Sequence, residues 1–158
     1  MLPAHPLEQM IGMELYSTGF QAVGGRVKRR FEDFIVEEIR PDGQTLLLKP
    51  WPNESMTNIP APSEVMGRPD RYISLVVQKM GLSTLDAASI LSAELRLPSN
   101  LVTYAGLKDK RALTVQLMSI PSSALERLRL LRLSRILIQE AVYVRRPVQV
   151  GDLWGNRF

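Results

Sequence analysis

The chain has 158 residues, about one ordinary domain, of which 45% are hydrophobic and 23% charged, and its mean hydropathy is near zero. That balance describes a folded, soluble chain, and no apolar run reaches the roughly 20 residues a membrane helix requires. There is no cysteine and a single histidine, His5, which excludes a disulfide framework and thiolate metal sites and leaves little room for histidine chemistry.

The net charge of +4 suits a polyanionic partner, since lysine and arginine that neutralise phosphates release bound counterions. The start Met1-Leu2-Pro3-Ala4-His5-Pro6 lacks the basic and apolar regions of a secretion signal, so a cytoplasmic location is expected. Any catalysis must rest on carboxylates, lysines, tyrosines or hydroxyls.

Residues 1–25 carry Gly12, Gly19, Gly24 and Gly25 and predict an N-terminal arm. A strand-like run begins at Arg26, and Phe34 to Ile39 has strand character. Pro41-Asp42-Gly43 is a turn signal, and Thr45 to Lys49 reads as the returning strand of a hairpin. Residues 50–70 hold five prolines and predict a surface loop or insertion. Tyr72 to Lys79 is a third strand. Ser83 or Thr84 can cap the helix that follows, with Leu85, Ala88, Leu91, Ala93 and Leu95 as its apolar face. Val102 to Ala105 is a short buried strand and Ala112 to Ile120 another. Ser122 or Ser123 can cap a second helix, whose Arg127, Arg129, Arg132 and Arg135 form a solvated side. Ile136 to Arg145 is a further strand, and one more begins at Val148. The pattern predicts an α+β fold: a mixed or antiparallel sheet with helices on one face.

Chemistry concentrates at Tyr104-Ala105-Gly106-Leu107-Lys108-Asp109-Lys110-Arg111. A strand ends, a glycine permits a sharp turn, and one carboxylate follows among cations that favour its ionised form. Asp109 is thereby a candidate nucleophile towards an anionic substrate. A solvated turn with self-cancelling charges is the plain alternative.

The run Tyr104 to Gln116 resembles the signature of the TruD family of tRNA pseudouridine synthases: Gly106, Lys108, Asp109, Ala112, Thr114 and Gln116 all fall on its specified positions. Two other segments are similar to that family in order and spacing. One leads from Gly24-Gly25-Arg26-Val27-Lys28 to Glu32-Asp33-Phe34-Ile35-Val36-Glu37-Glu38; the other is Gly155-Asn156-Arg157-Phe158. Phe31 departs from the pattern, standing where a proline usually precedes Glu-Asp-Phe, and the 50–70 insertion has no expected counterpart.

The resemblance implies an isomerase that detaches uracil from its ribose and rejoins it through carbon, with no cofactor and no metal, acting on RNA, specifically uridine 13 of tRNA. It implies Asp109 as the essential carboxylate and Lys28 as its basic partner. Phe158 would stack on the target base, Asn156 would orient it, and Phe34 and Lys108 would complete the substrate-binding set. Phe34 and Phe158 have a simpler reading as core aromatics. Family members continue well past Gly-Asn-x-Phe. Residues 26–158 are therefore expected to be a partial pseudouridine synthase catalytic domain, depending on a missing C-terminal half or a partner chain. The alternative is a truncated, non-catalytic RNA-binding module or half-domain. A carboxylate-pair hydrolase using Asp109 with Glu37 or Glu38 finds no support in spacing.

Overall fold

The computed structural model describes residues 3–15 and 28–158. Most of the glycine-punctuated arm, and the first residues of the run beginning at Arg26, lie outside the described residues. The elements in chain order are α1 (Pro6–Gln9), β1 (Ile35–Ile39), β2 (Ile59–Pro60), β3 (Tyr72–Met80), α2 (Thr84–Glu94), β4 (Thr103–Tyr104), β5 (Leu113–Pro121), α3 (Leu125–Leu130), β6 (Arg132–Leu133), β7 (Ile136–Val144) and β8 (Gly155–Arg157).

Among the described residues, the main sheet runs in the order β7-β3-β5-β1-β8, with β4 also paired to β5. The β1–β5 pair is parallel and the others are antiparallel, so the sheet is mixed. The central strands β3 and β5 are rich in Val, Ile and Leu, as strands buried on both faces must be, while the edge strand β7 buries mainly one face. Their residues Ile73, Leu75, Val77, Met118, Ile120, Ile136 and Ile138 form the larger core with Ala87, Ala88, Leu91 and Leu95 of the α2 region and Leu128 of α3. The α+β reading and the placement of helices on one face are thus realised. A smaller apolar cluster of Leu46, Val76, Val115, Leu117 and Val148 lies apart from it.

Helix α2 begins at a capping box in which Ser83 Oγ accepts from the Asp86 amide and the Asp86 carboxylate accepts from the Ser83 amide. Its buried face is Ala87, Ala88 and Leu91; the expected Leu85 and Ala93 point away from the core, Leu85 being exposed. The second helix is shorter than its leucine pattern suggests. Ser122 and Ser123 lie within a 3-10 turn, Ser122–Ala124, and no side chain caps Leu125–Leu130. The arginines Arg127, Arg129, Arg132 and Arg135 are exposed, as expected.

Two strand expectations are corrected. Thr45 to Lys49 forms no strand beyond a single bridge between Thr45 and Ile39. It meets β1 on the edge that β5 occupies as far as Glu37, so the backbone pairing ends after the Leu46 amide donates to the Glu38 carbonyl at 2.9 Å. Beyond that the segment is held by side chains. The Leu48 amide donates to Glu37 Oε1 at 2.8 Å, and the Lys49 amide and carbonyl close a pair of bonds with the Gln78 amide group. Residues 148–154 likewise form a turn rather than a strand: the Gln149 amide donates to the Asp152 carboxylate, which also pairs with Arg146. The proline-rich 50–70 stretch is mostly loop but contributes β2, which pairs with β6.

Phe31 finds its explanation at Gly81, which follows β3. Gly81 has φ +64°, and a Cβ there would stand 2.8 Å from Phe31 Cζ. The aromatic ring thus occupies space that only glycine leaves open. Gly81→Ala should cost about 1–3 kcal/mol, chiefly from the left-handed backbone because the partly exposed ring can swing aside. Urea unfolding of the two chains checks this; an unchanged midpoint would show the contact to be incidental.

Candidate active site

The loop between β4 and β5 carries Asp109 and is fixed from below by a buried polar network. Thr84, in the first turn of α2, accepts at Oγ1 from the Lys108 amide (2.8 Å) and donates to Gln116 Oε1 (2.9 Å). Gln116 in turn donates from Nε2 to the Gly106 carbonyl at 3.2 Å. The bonds bracket Gly106-Leu107-Lys108 between a helix start and the central strand β5. Thr84 and Gln116 are fully buried, where an unmade bond is expensive, so the loop has little freedom there.

Lys108 does not face outward with its neighbour. Its side chain is 2% exposed and its Nζ lies 2.6 Å from Glu38 Oε2, on a side chain that is 0% exposed. The other oxygen, Glu38 Oε1, accepts from the Leu117 amide at 2.9 Å. The β1–β5 register stops at Glu37 and Val115, and the Glu38 carboxylate takes an amide of β5 beyond it. Lys108, expected among the substrate-binding residues, is thus an anchor beneath the loop.

With Lys108 committed inward, Asp109 turns out to solvent, its side chain 57% exposed. The expected ring of cations around it is mostly engaged elsewhere. Lys110 pairs with Asp86 at 3.2 Å. Arg111 donates through Nε to the Lys28 carbonyl at 2.6 Å, and its terminal nitrogen lies 3.4 Å from the Arg29 carbonyl. The cation that reaches Asp109 is Lys28, with Nζ 3.9 Å from Oδ2. Arg111 therefore draws Lys28 to the loop across 83 residues of sequence. Lys28 has φ +53°, a conformation rare outside glycine and costing of order 1 kcal/mol or more.

The same ammonium stands 3.5 Å from the centroid of the Phe34 ring, a cation–π contact. Phe34 and Phe158 stack, with centroids 5.8 Å apart and planes inclined by 23°. Residues far apart in sequence, Lys28, Phe34, Asp109 and Phe158, therefore meet in one cluster. Strand pairing delivers Phe158: Glu37 faces Arg157 and Glu38 faces Asn156 across β1 and β8. An ion pair between Arg157 and the nearly buried Glu37 locks that register. Phe158 itself is 79% exposed. Asn156 lies exposed on the same edge strand. Glu37 and Glu38 are each bound to a cation, and neither forms a carboxylate pair with Asp109.

A family model described as tRNA pseudouridine synthase D (TruD) matches residues 10–158. The chain belongs to the TruD family. It is 34% identical over 152 residues to the probable tRNA pseudouridine synthase D of Archaeoglobus fulgidus, covering 96% of this chain and 32% of that protein. It is 32% identical over 150 residues to the tRNA pseudouridine synthase D of Geobacter metallireducens, covering 94% and 32% respectively. Its backbone is similar to the crystal structure of a TruD protein from Methanosarcina mazei, with a TM-score of 0.62 and 29% identity, over 94% of this chain and 29% of that one. The chain thus spans about a third of the length of these relatives.

Within this TruD-family chain, sequence reasoning overlooked Lys79. Its side chain is completely buried at the end of β3, and its Nζ donates to the Leu82 carbonyl at 2.7 Å. Burial, and then the neighbouring charge of Lys108, lower its pKa to about 8, opposed in part by Asp86 and Asp109. The only available signal was a lysine near the end of a mainly apolar strand. A cavity of about 490 Å³ lies elsewhere, between Leu85 and Ser89 of α2, Tyr104 and Val150, and none of its lining residues belongs to the Asp109 cluster. Among the described residues no helix is long and apolar enough to cross a membrane.

Two measurements follow from the buried charges. Lys108→Met leaves the buried Glu38 carboxyl group without its cation, and should cost about 3–5 kcal/mol, with much of the loss recovered when Glu38→Gln is added. Denaturant unfolding of the single and double variants checks both. Lys79 has a folded pKa below its unfolded value, so between pH 8 and 10.5 the unfolded chain binds more protons and native stability rises with pH. Below pH 8 the burial penalty is present in full. Relative to Lys79→Met, the native chain should gain up to about 3 kcal/mol across that window.

Proposed function

We propose that this chain supplies the catalytic aspartate of a tRNA pseudouridine synthase, converting uridine, at position 13 of tRNA by family analogy, to pseudouridine. The single observation that carries the reading is the convergence of Lys28, Phe34 and Phe158 on Asp109, which is what a carboxylate acting on a flipped base requires. The conversion breaks the bond between the ribose anomeric carbon and N1 and forms one to carbon 5. The hydrogen on carbon 5 leaves as a proton, and N1 gains one. No electrons are exchanged, so the reaction requires no redox partner.

In this account Asp109 acts as the anionic group of the rearrangement, whether at the anomeric carbon, at carbon 6 of the ring or on a sugar proton. Lys28 holds its carboxylate in place. The uracil stacks on Phe158, which Phe34 supports from behind, and Asn156 offers an amide to the base edge. Lys108 serves as the buried anchor of the Asp109 loop rather than as a substrate contact. The basic stretch at Arg29 and Arg30, both exposed, is available to phosphates of the RNA. The enzyme works in the cytoplasm, where tRNA is found.

A second reading, an RNA-binding module without catalysis, is favoured by the openness of Asp109, whose side chain is 57% exposed. A pocket wall supplied by other parts of the family's longer chain would be needed to exclude water there. Tritium release from tRNA labelled at carbon 5 of uridine separates the two. Release by the native chain, reduced at least ~1,000-fold in Asp109→Asn, is expected of the enzyme. RNA binding with no release, by this chain and by a chain extended to the family's length, supports the binding module instead. Phe158→Ala should weaken RNA binding about tenfold or more if the ring stacks on a base.

A further inference from the structure

The buried cation Lys79 has no part in the cluster described so far, yet a lysine is seldom placed in a core without a partner or a task. Its surroundings are specific. On β3 it stands opposite Thr114 of β5 and Ile136 of β7. Its ammonium donates to the carbonyl of Leu82, in the turn from β3 into α2. That turn carries Ser83, the cap of α2, then Thr84, which accepts the Lys108 amide, and Asp86, which pairs with Lys110. The two residues flanking Asp109 are therefore both gripped by the segment that Lys79 ties down.

The charges point the same way. Lys108 is matched by Glu38, whereas Lys79 is held by a neutral carbonyl. The buried layer thus carries one surplus positive charge. The groups that act on Lys79 are Lys108, Asp86 and Asp109. Asp86 is paired with Lys110 at 3.2 Å and Glu38 with Lys108 at 2.6 Å, whereas Asp109 has the longer 3.9 Å contact with Lys28.

We propose that Lys79 is a positioning residue for Asp109, whose loop its buried ammonium holds through the Leu82–Asp86 turn. The inference rests on Asp109 being the reacting carboxylate. It goes further in assigning the placement of that carboxylate to a residue that does not touch substrate.

The proposal is tested by carbon-13 NMR on the full chain, following Lys79 Cε and Asp109 Cγ from pH 6.5 to 9.5. Both resonances should titrate together with one midpoint near the lowered pKa of about 8, and the Asp109 step should vanish in Lys79→Met. In tritium release, Lys79→Met should lower kcat at least ~10-fold with KM changed less than about twofold, and the native rate should fall as pH rises through that midpoint. If Lys79→Met does not fold, the native titration alone decides. An Asp109 signal indifferent to the Lys79 titration would overturn the proposal even in an active enzyme. Coupled titration in a chain that releases no tritium would uphold the positioning link and count against the reading of the function alone.

Discussion

A glutamate and a lysine that meet in a protein interior must satisfy one another, because either charge left alone there is strongly unfavourable. Glu38 and Lys108 are in that position, joined at 2.6 Å with almost no exposure, and the geometry around Asp109 follows from it. The pair draws the residue before Asp109 into the core, which obliges the next side chain to turn outward. It ties that loop to β1, the strand immediately following Phe34. Through the other oxygen of Glu38 it also takes up an amide of β5. Three elements distant in sequence are thereby referred to one point.

The remaining contacts refine that frame. Thr84 and Gln116 close the loop from the helix side, and the Ser83–Asp86 box fixes where that helix begins. Arg111 brings Lys28 across to the loop and the Glu37–Arg157 pair sets the register that delivers Phe158. The division of labour is consistent. Buried groups determine position, while Asp109 and Phe158, the groups proposed to act, are exposed. A site built in this way can be rigid in its carboxylate and still open to a large substrate.

Much of the arrangement was legible in the sequence, for identifiable reasons. The long strands announce themselves because β-branched and leucine-rich runs have no other comfortable place, and the Ser-Thr-Leu-Asp start of α2 spells out its own cap. The spacing of Gly106, Lys108, Asp109 and Gln116 carried the family resemblance, which the TruD family match over residues 10–158 bears out. What was illegible depends on neighbours. Thr45 to Lys49 has a strand's composition, but the β1 edge it meets is held by β5, far later in the chain. Lys108 looks like any surface lysine until Glu38 is known to lie beneath it. Lys79 carries no local mark of its burial, since a single cation near the end of a mainly apolar strand is as easily found at the surface.

The central claim is that the buried pair, more than local loop stiffness, fixes the placement of Asp109. Amide hydrogen exchange in the native and Glu38→Gln chains tests it directly, by comparing the Lys108 amide with amides of Val76 and Val77 in β3. The account predicts that the native Lys108 amide exchanges as slowly as those of the strand. In the variant its protection should drop well below theirs, because the loop then opens without unfolding the sheet. Equal loss at all three positions, or protection of the Lys108 amide unchanged by the substitution, would contradict it.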